Sequence, residues 1–320
     1  MYFGNHIISQ NDAFLASWIC ASLAFAILLI RLVAHRHQRR GFDTIAYVVA
    51  GSIVTLAART ICNALILHWG TINTPGLEDA SKTRTSSILV LCARVLVTTY
   101  YWLQSILLLL FYREMMNHVS WIHKAIRLCW VIVGLTYFAV ILATFLECRS
   151  VTYYWTRTPE GLPHQCTRAY AQILLQCVSN LVIDLILLVV SAPILKAQIR
   201  QWPANLQLGL LYLLGTFCII VIGLKIHFIF RDGSVQHARS FWASVQVVVS
   251  TFVANAPSIY GAVKIVKRRR SSVMSLARLR TGESDYFNVS GPPPKPPVLK
   301  FPEWQDDTLS RPALARFGKP

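Results

Sequence analysis

Seven stretches of this chain are apolar enough, over about 20 residues each, to cross a bilayer whose hydrocarbon core is ~30 Å thick. They run roughly Asp12–Val33, Phe42–Trp69, Ser87–Tyr112, Ile126–Glu147, Ala169–Leu195, Leu206–Phe230 and Arg239–Val266. In hydrocarbon a spanning segment must satisfy its own backbone N–H and C=O groups, which leaves helices for runs of this length. The predicted fold is therefore an all-α membrane protein, a seven-transmembrane helix bundle over 12–267. A short exoplasmic N-terminus, 1–11, is expected before it and a basic, Pro-rich disordered cytoplasmic tail, 268–320, after it. Composition agrees: 54% of the 320 residues are hydrophobic and 14% charged, against roughly 25% charged in soluble domains.

The net charge of +17 invites comparison with nucleic-acid binders. The Lys and Arg residues, however, sit in short blocks between apolar runs, a distribution that fits a positive-inside membrane protein and no nucleic-acid partner. Ala34–Gly41 carries Arg36, Arg39 and Arg40; Arg113–Ala125 carries Arg113 and Lys124; Lys196–Asn205 carries Lys196 and Arg200; Lys267–Arg270 follows the last run. On the other side lie an N-terminus without Lys or Arg, the mixed-charge Gly70–Ser86, Cys148–Arg168 with its three arginines, and Arg231–Ala238. The balance places the N-terminus outside and the C-terminus in the cytoplasm. The first run has no basic segment before it, so it reads as a retained span and not a signal peptide. Tyr2 and the C-terminal FGKP offer no site for myristoylation or prenylation. The expected host is the plasma membrane, with an endomembrane as the alternative.

Within the fifth run, Gln172, Gln176, Asn180 and Asp184 recur at intervals of four, which aligns them on one helix face. A polar line ending in a carboxylate should face other helices, either as interhelical glue or as the lining of a wet interior. Depth along the helices groups other polar residues with it. Arg59, Arg94 and Lys225 fall in the outer part of the bundle, near Gln172 and Gln176, and form a candidate pocket for an anionic or strongly polar small molecule. The competing reading has these cations snorkelling to headgroups or pairing with Glu147. Deeper in, Gln104, Asn180, Asp184, Gln246 and Asn255 form a candidate hydrogen-bonded switch or a structural polar knot, beside Pro257, which removes a backbone donor. Tyr100, Tyr101 and Trp102 are either packing or a cavity wall.

Cys148 and Cys166 flank the second outer loop on the side where disulfides persist, and we expect them to pair and to close that loop over the outer mouth. In the tail, Ser272 of Arg269-Arg270-Ser271-Ser272 resembles a basophilic kinase site, where phosphate would weaken attachment to anionic headgroups. Pro292–Pro297 could dock in an SH3-type groove, although a solvated tail explains it equally. There is no HExxH, GxSxG, P-loop or metal-ligand spacing, so no cofactor or metal is expected. A retinal Schiff base would need a mid-membrane lysine on the last helix, and Ser240 to Val263 contains none.

Several words of the sequence carry a family resemblance: SILLLLFYRE (Ser105–Glu114), ECRSVTYYW with the later Cys166, SNLVIDLILLVVSAP (Ser179–Pro193), the helix of Gly215, and FWASVQ with ANAP (Phe241–Pro257). Over roughly Phe42 to Lys267 the chain resembles the fungal rhodopsin-domain family of integral membrane proteins, in particular the group holding pathogenesis-associated receptor-like proteins and the satratoxin-cluster membrane protein. Two positions depart from the family pattern. Gln104 stands where a lysine is usual and Gln246 where a glutamate is usual, so a mechanism needing that charge pair is not expected here. The resemblance implies a receptor-like protein that binds a small molecule from outside and signals to a cytoplasmic effector through its inner loops and tail. The alternative is a membrane-embedded enzyme or accessory protein of a secondary-metabolite gene cluster, with Asp184 as acid or base. A transporter is weakened by the absence of internal repeats.

Overall fold

The computed structural model describes residues 10–38, 43–69, 80–115, 120–149, 151–154, 169–198, 206–231, 238–261 and 263. All of them fall in the first of two units, Met1–Arg268 and Arg269–Pro320. Cys166, Ser272, the N-terminal Met1–Ser9, the basic residues Arg39, Arg40 and Lys267–Arg270, and the proline-rich tail lie outside the described residues.

Seven helices are present among the described residues: α1 (Gln10–Gln38), α2 (Thr44–Trp69), α3 (Ala80–Met115), α4 (Ser120–Leu146), α5 (Tyr170–Gln198), α6 (Leu206–Arg231) and α7 (238–261). The first six each hold a segment long and apolar enough to span a membrane. Six such helices make the chain a multi-pass membrane protein in contact with the lipid bilayer. Each helix coincides with one of the seven apolar runs, but several outlast them. α3 begins at Ala80, inside the expected loop Gly70–Ser86, and ends at Met115; α4 starts at Ser120; α1 and α5 continue to Gln38 and Gln198. Hydropathy marks where a helix meets hydrocarbon, whereas the backbone hydrogen bonds continue through polar residues at headgroup level.

Neighbours in sequence pack together, α1 on α2, α2 on α3, α3 on α4, α4 on α5 and α5 on α6, and α3 also touches α5. α3 is the most buried of the six spans, and its Tyr100, Tyr101 and Trp102 are all nearly inaccessible. Each is held by a polar partner: the Tyr100 hydroxyl by Thr251, the Tyr101 hydroxyl by the Ala243 carbonyl (3.0 Å), and the Trp102 indole by the Val133 carbonyl (2.9 Å). A buried aromatic with a satisfied tip fixes the rotation of its helix as well as its position. The periphery is the reverse: Phe138 is 71% exposed, Val189 70% and Leu213 67%, an apolar surface suited to acyl chains.

Two apolar cores result. One is built around α1 to α4 and contains Leu28, Leu56, Leu107 and Val140; the other joins α5, α6 and α7 through Cys177, Cys218, Ile222 and Val253. Between α5 and α6 the approach is close enough that a Cβ on Gly215 would lie 2.8 Å from Leu188 Cδ2. Small residues permit such approaches in bundles where lipid supplies no hydrophobic drive between helices. α7 runs unbroken past Pro257 and is tied by side chains to four neighbours. Arg31 of α1 donates to the Ala254 carbonyl and Asn255 Oδ1 (both 2.9 Å). Arg59 of α2 donates to Ser244 (3.1 Å) and Lys225 of α6 to Gln246 (2.6 Å), and Asn255 donates to Gln104 of α3 (3.2 Å).

Candidate functional site

The polar stripe of α5 faces the interior along its length. Gln172, Gln176 and Asn180 are each at most 7% exposed, and the stripe lines two successive cavities.

The first cavity, about 80 Å³, lies among α2, α3, α5, α6 and α7. Arg59, Arg94, Lys225, Gln172 and Gln176, the five residues grouped by depth, all line it. The structure adds Arg239, which the sequence reading left at the margin of the last run. The argument that selects Arg94, a cation early in its helix at the outer end, selects Arg239 equally. Among the described residues no Asp or Glu lines this cavity. Asn63 and Ser240, also in its wall, bond to each other (2.9 Å), and Asn63 holds Ser17 of α1 (2.8 Å).

The cations differ in their surroundings. Arg94 donates to the Tyr154 hydroxyl at 3.5 Å, with its guanidinium 5.3 Å from that ring's centroid. Tyr154 closes a short 3-10 turn, Val151–Tyr154, and donates to the Thr144 carbonyl (2.9 Å). Glu147, half-buried just beyond α4, lies within electrostatic reach of both Arg94 and Arg239. Its Oε1 accepts the Ala171 backbone N–H at 2.9 Å, capping the first turn of α5, while Oε2 meets no partner. Burial raises the Glu147 carboxyl above its ordinary range, opposed by that N–H and by the two arginines. Burial likewise raises the Tyr154 phenol against the pull of Arg94. At the other end of the cavity, Arg59 reaches Ser244 through Nη2 and its Nη1 has no partner. Lys225 bonds to Gln246 and stands 5.5 Å from the Tyr101 ring centroid. Gln176 Nε2 is also buried without a partner.

The second cavity, about 30 Å³, is lined by Gln104, Asn180, Asp184 and Gln246 together with Cys218 and the shared Tyr101. Asp184 points into this interior and lies within hydrogen-bonding reach of the Cys218 thiol. Asn255, the fifth residue of the inner group, joins it through Gln104 and is braced by Arg31. Arg31 sits near the end of an apolar run, where a basic residue in a linear sequence reads as a flank. Tyr101 and the Lys225–Gln246 hydrogen bond separate the two cavities.

Cys148 is buried and disulfide-bonded; its expected partner Cys166 lies outside the described residues. Cys20, Cys62, Cys92, Cys129, Cys177 and Cys218 are free thiols. Among the described residues no group of three or more His, Cys, Asp or Glu side chains is placed to hold a metal ion.

Comparison with known proteins gives one family. No curated protein and no solved structure shows a significant match to the chain. The fungal rhodopsin domain matches residues 28–265, from the second half of α1 to the end of α7 and well over half of the sequence. The chain thus belongs to the fungal rhodopsin domain family.

Proposed function

We propose that this protein is a receptor-like member of its family that binds a small anionic molecule within the outer half of the bundle. The observation that carries this reading is the first cavity: four buried cations, Arg59, Arg94, Lys225 and Arg239, face one space whose lining, among the described residues, has no carboxylate. Two of them, Arg59 and Lys225, bond only to the neutral Ser244 and Gln246; a buried charge without a counter-charge costs on the order of 3–5 kcal/mol, and structural glue alone is served as well by the neutral amides and hydroxyls that the same helices carry. An anion from outside answers that imbalance. On this reading Gln172 and Gln176 orient the ligand, and the loop closed by Cys148 with Cys166 covers the mouth. The inner group of Gln104, Asn180, Asp184, Gln246 and Asn255 relays occupancy to the inner loops and tail, where a cytoplasmic effector and a phosphate on Ser272 would act.

The test is thermal unfolding of the purified full-length protein in nanodiscs against a panel of small organic acids, their isosteric amides and amines of matched shape. The acids should raise the melting temperature and the amides and amines should not. Equal response to all three classes, or to none, contradicts the reading.

One observation favours the alternative, a membrane-embedded enzyme or accessory protein of a biosynthetic cluster: Asp184 faces a cavity of its own beside Cys218. Recovery of the stabilising acid unchanged after prolonged incubation supports the receptor. A product that wild type forms and Asp184→Asn does not would support the enzyme.

A further inference from the structure

The cavity holds four cations, but its two ends differ in how they are compensated. At the mouth, Glu147 stands within reach of Arg94 and Arg239, and Tyr154 covers Arg94. At the floor, Arg59 and Lys225 have only neutral hydrogen-bond partners, Ser244 and Gln246, and are near enough to feel each other's charge. Arg59 Nη1 and Gln176 Nε2 are buried donors without acceptors. Both residues and Lys225 are no more than 4% exposed and line the same space. Buried donors in folded proteins are nearly always satisfied, so two orphans at one end of a cavity mark where an acceptor belongs.

Resting on the anion-binding reading above, we infer that the ligand's charged end is a single carboxylate seated at the floor by Arg59, Gln176 and Lys225. A carboxylate offers about four lone-pair sites on two oxygens, enough for these three donors. Between floor and mouth the lining holds the apolar Ala93, Val97, Ile173 and Ala243 beside the neutral Asn63, Gln172 and Ser240, so the remainder of the ligand is a short, uncharged and largely apolar body. At the mouth Arg94 and Arg239 already share Glu147, so a second carboxylate gains less there than its desolvation costs, and this selects a small monocarboxylic acid over a dicarboxylic one. Seating the carboxylate also gives Lys225 an acceptor that competes with Gln246. Gln246 is then released toward Asn180 and Asp184 in the second cavity, which is how occupancy of one space reaches the other.

The experiment is calorimetric titration of the nanodisc-embedded full chain with sodium propionate, sodium succinate and sodium chloride at matched ionic strength. For wild type, propionate should bind, succinate about tenfold or more weakly, and chloride more weakly still. Arg59→Gln and Lys225→Gln should each weaken propionate by about tenfold or more, the worth of a charge-assisted hydrogen bond, and Arg94→Gln, which removes a more distant cation at the mouth, should weaken it by less than either. Gln176→Leu guards against variants that fail to fold: it removes a donor that bonds to nothing, so its melting temperature should not fall while propionate affinity drops about tenfold. Unchanged affinity in Gln176→Leu, or chloride binding as tightly as propionate, overturns the floor assignment. Loss of propionate or succinate binding in Arg94→Gln with none in Arg59→Gln moves the charge to the mouth, which refutes this inference while leaving the anion-binding reading intact. No binding of any acid to wild type removes both.

Discussion

Arg59 and Glu147 are opposite solutions to holding charge in a membrane protein. Arg59 is buried with one neutral partner and an unused donor facing a cavity. Glu147 stays at the helix end, where a backbone N–H and two arginines offset part of its desolvation. Because the folded-state pKa of Glu147 is raised, folding favours its protonated form. Its contribution to stability is therefore best below the ordinary carboxylate pKa and is lost as pH rises through the elevated folded value. Glu147→Gln keeps an oxygen for the Ala171 N–H and should flatten thermal stability against pH across that window; an unchanged slope would remove Glu147 as its source. Tyr154→Phe keeps the ring under Arg94 but loses the bond to the Thr144 carbonyl, and should lower stability by about 1 kcal/mol, read as a shift in denaturation midpoint. At this scale the sequence was informative where residues recur with helical period, as in the stripe from Gln172 to Asp184. It was silent where a basic residue sits at a run's edge. Arg31 looks like a flank in a linear reading and only three-dimensional packing turns it inward, whereas Arg239 is within reach of the same depth argument as Arg94.

Where α5 meets α6, a Cβ on Gly215 would press on the Leu188 side chain. Gly215→Ala forces the Leu188 side chain to move and should cost about 1 kcal/mol, and Gly215→Leu about 1–3 kcal/mol. Leu188→Ala should recover part of either loss in a double-mutant cycle, and strict additivity would show that the two residues do not press on each other. The existence and order of all seven helices were legible because a bilayer demands about 20 apolar residues per crossing. Their ends were not: α3 continues upstream to Ala80 and downstream to Met115, since nothing at headgroup level requires a helix to stop where hydrophobicity does. The central place of α7 was only partly legible. Asn255 and Gln246 flagged it, but its bonds to α1, α2, α3 and α6 depend on the packing order of the whole bundle.

For the molecule as a whole, the positive-inside pattern gives an expected orientation that puts the cationic cavity toward the exterior. In a chain whose native free thiols are replaced, a membrane-impermeant maleimide applied to intact cells should label a cysteine placed at residue 5 and leave one placed at residue 300 unlabelled. Labelling of both would reverse or break the topology. The larger claim is that buried cations from α2, α3, α6 and α7, with the amides of α5, converge on space that an acid occupies. Its most direct test is a structure of the full chain determined with 3-bromopropionate, located by the anomalous signal of bromine. The account predicts a bromine peak in the cavity beside Ala93, Val97 and Ile173, with carboxylate density bridging Arg59, Gln176 and Lys225. An empty or merely water-filled cavity at saturating ligand, with bromine elsewhere, would contradict it.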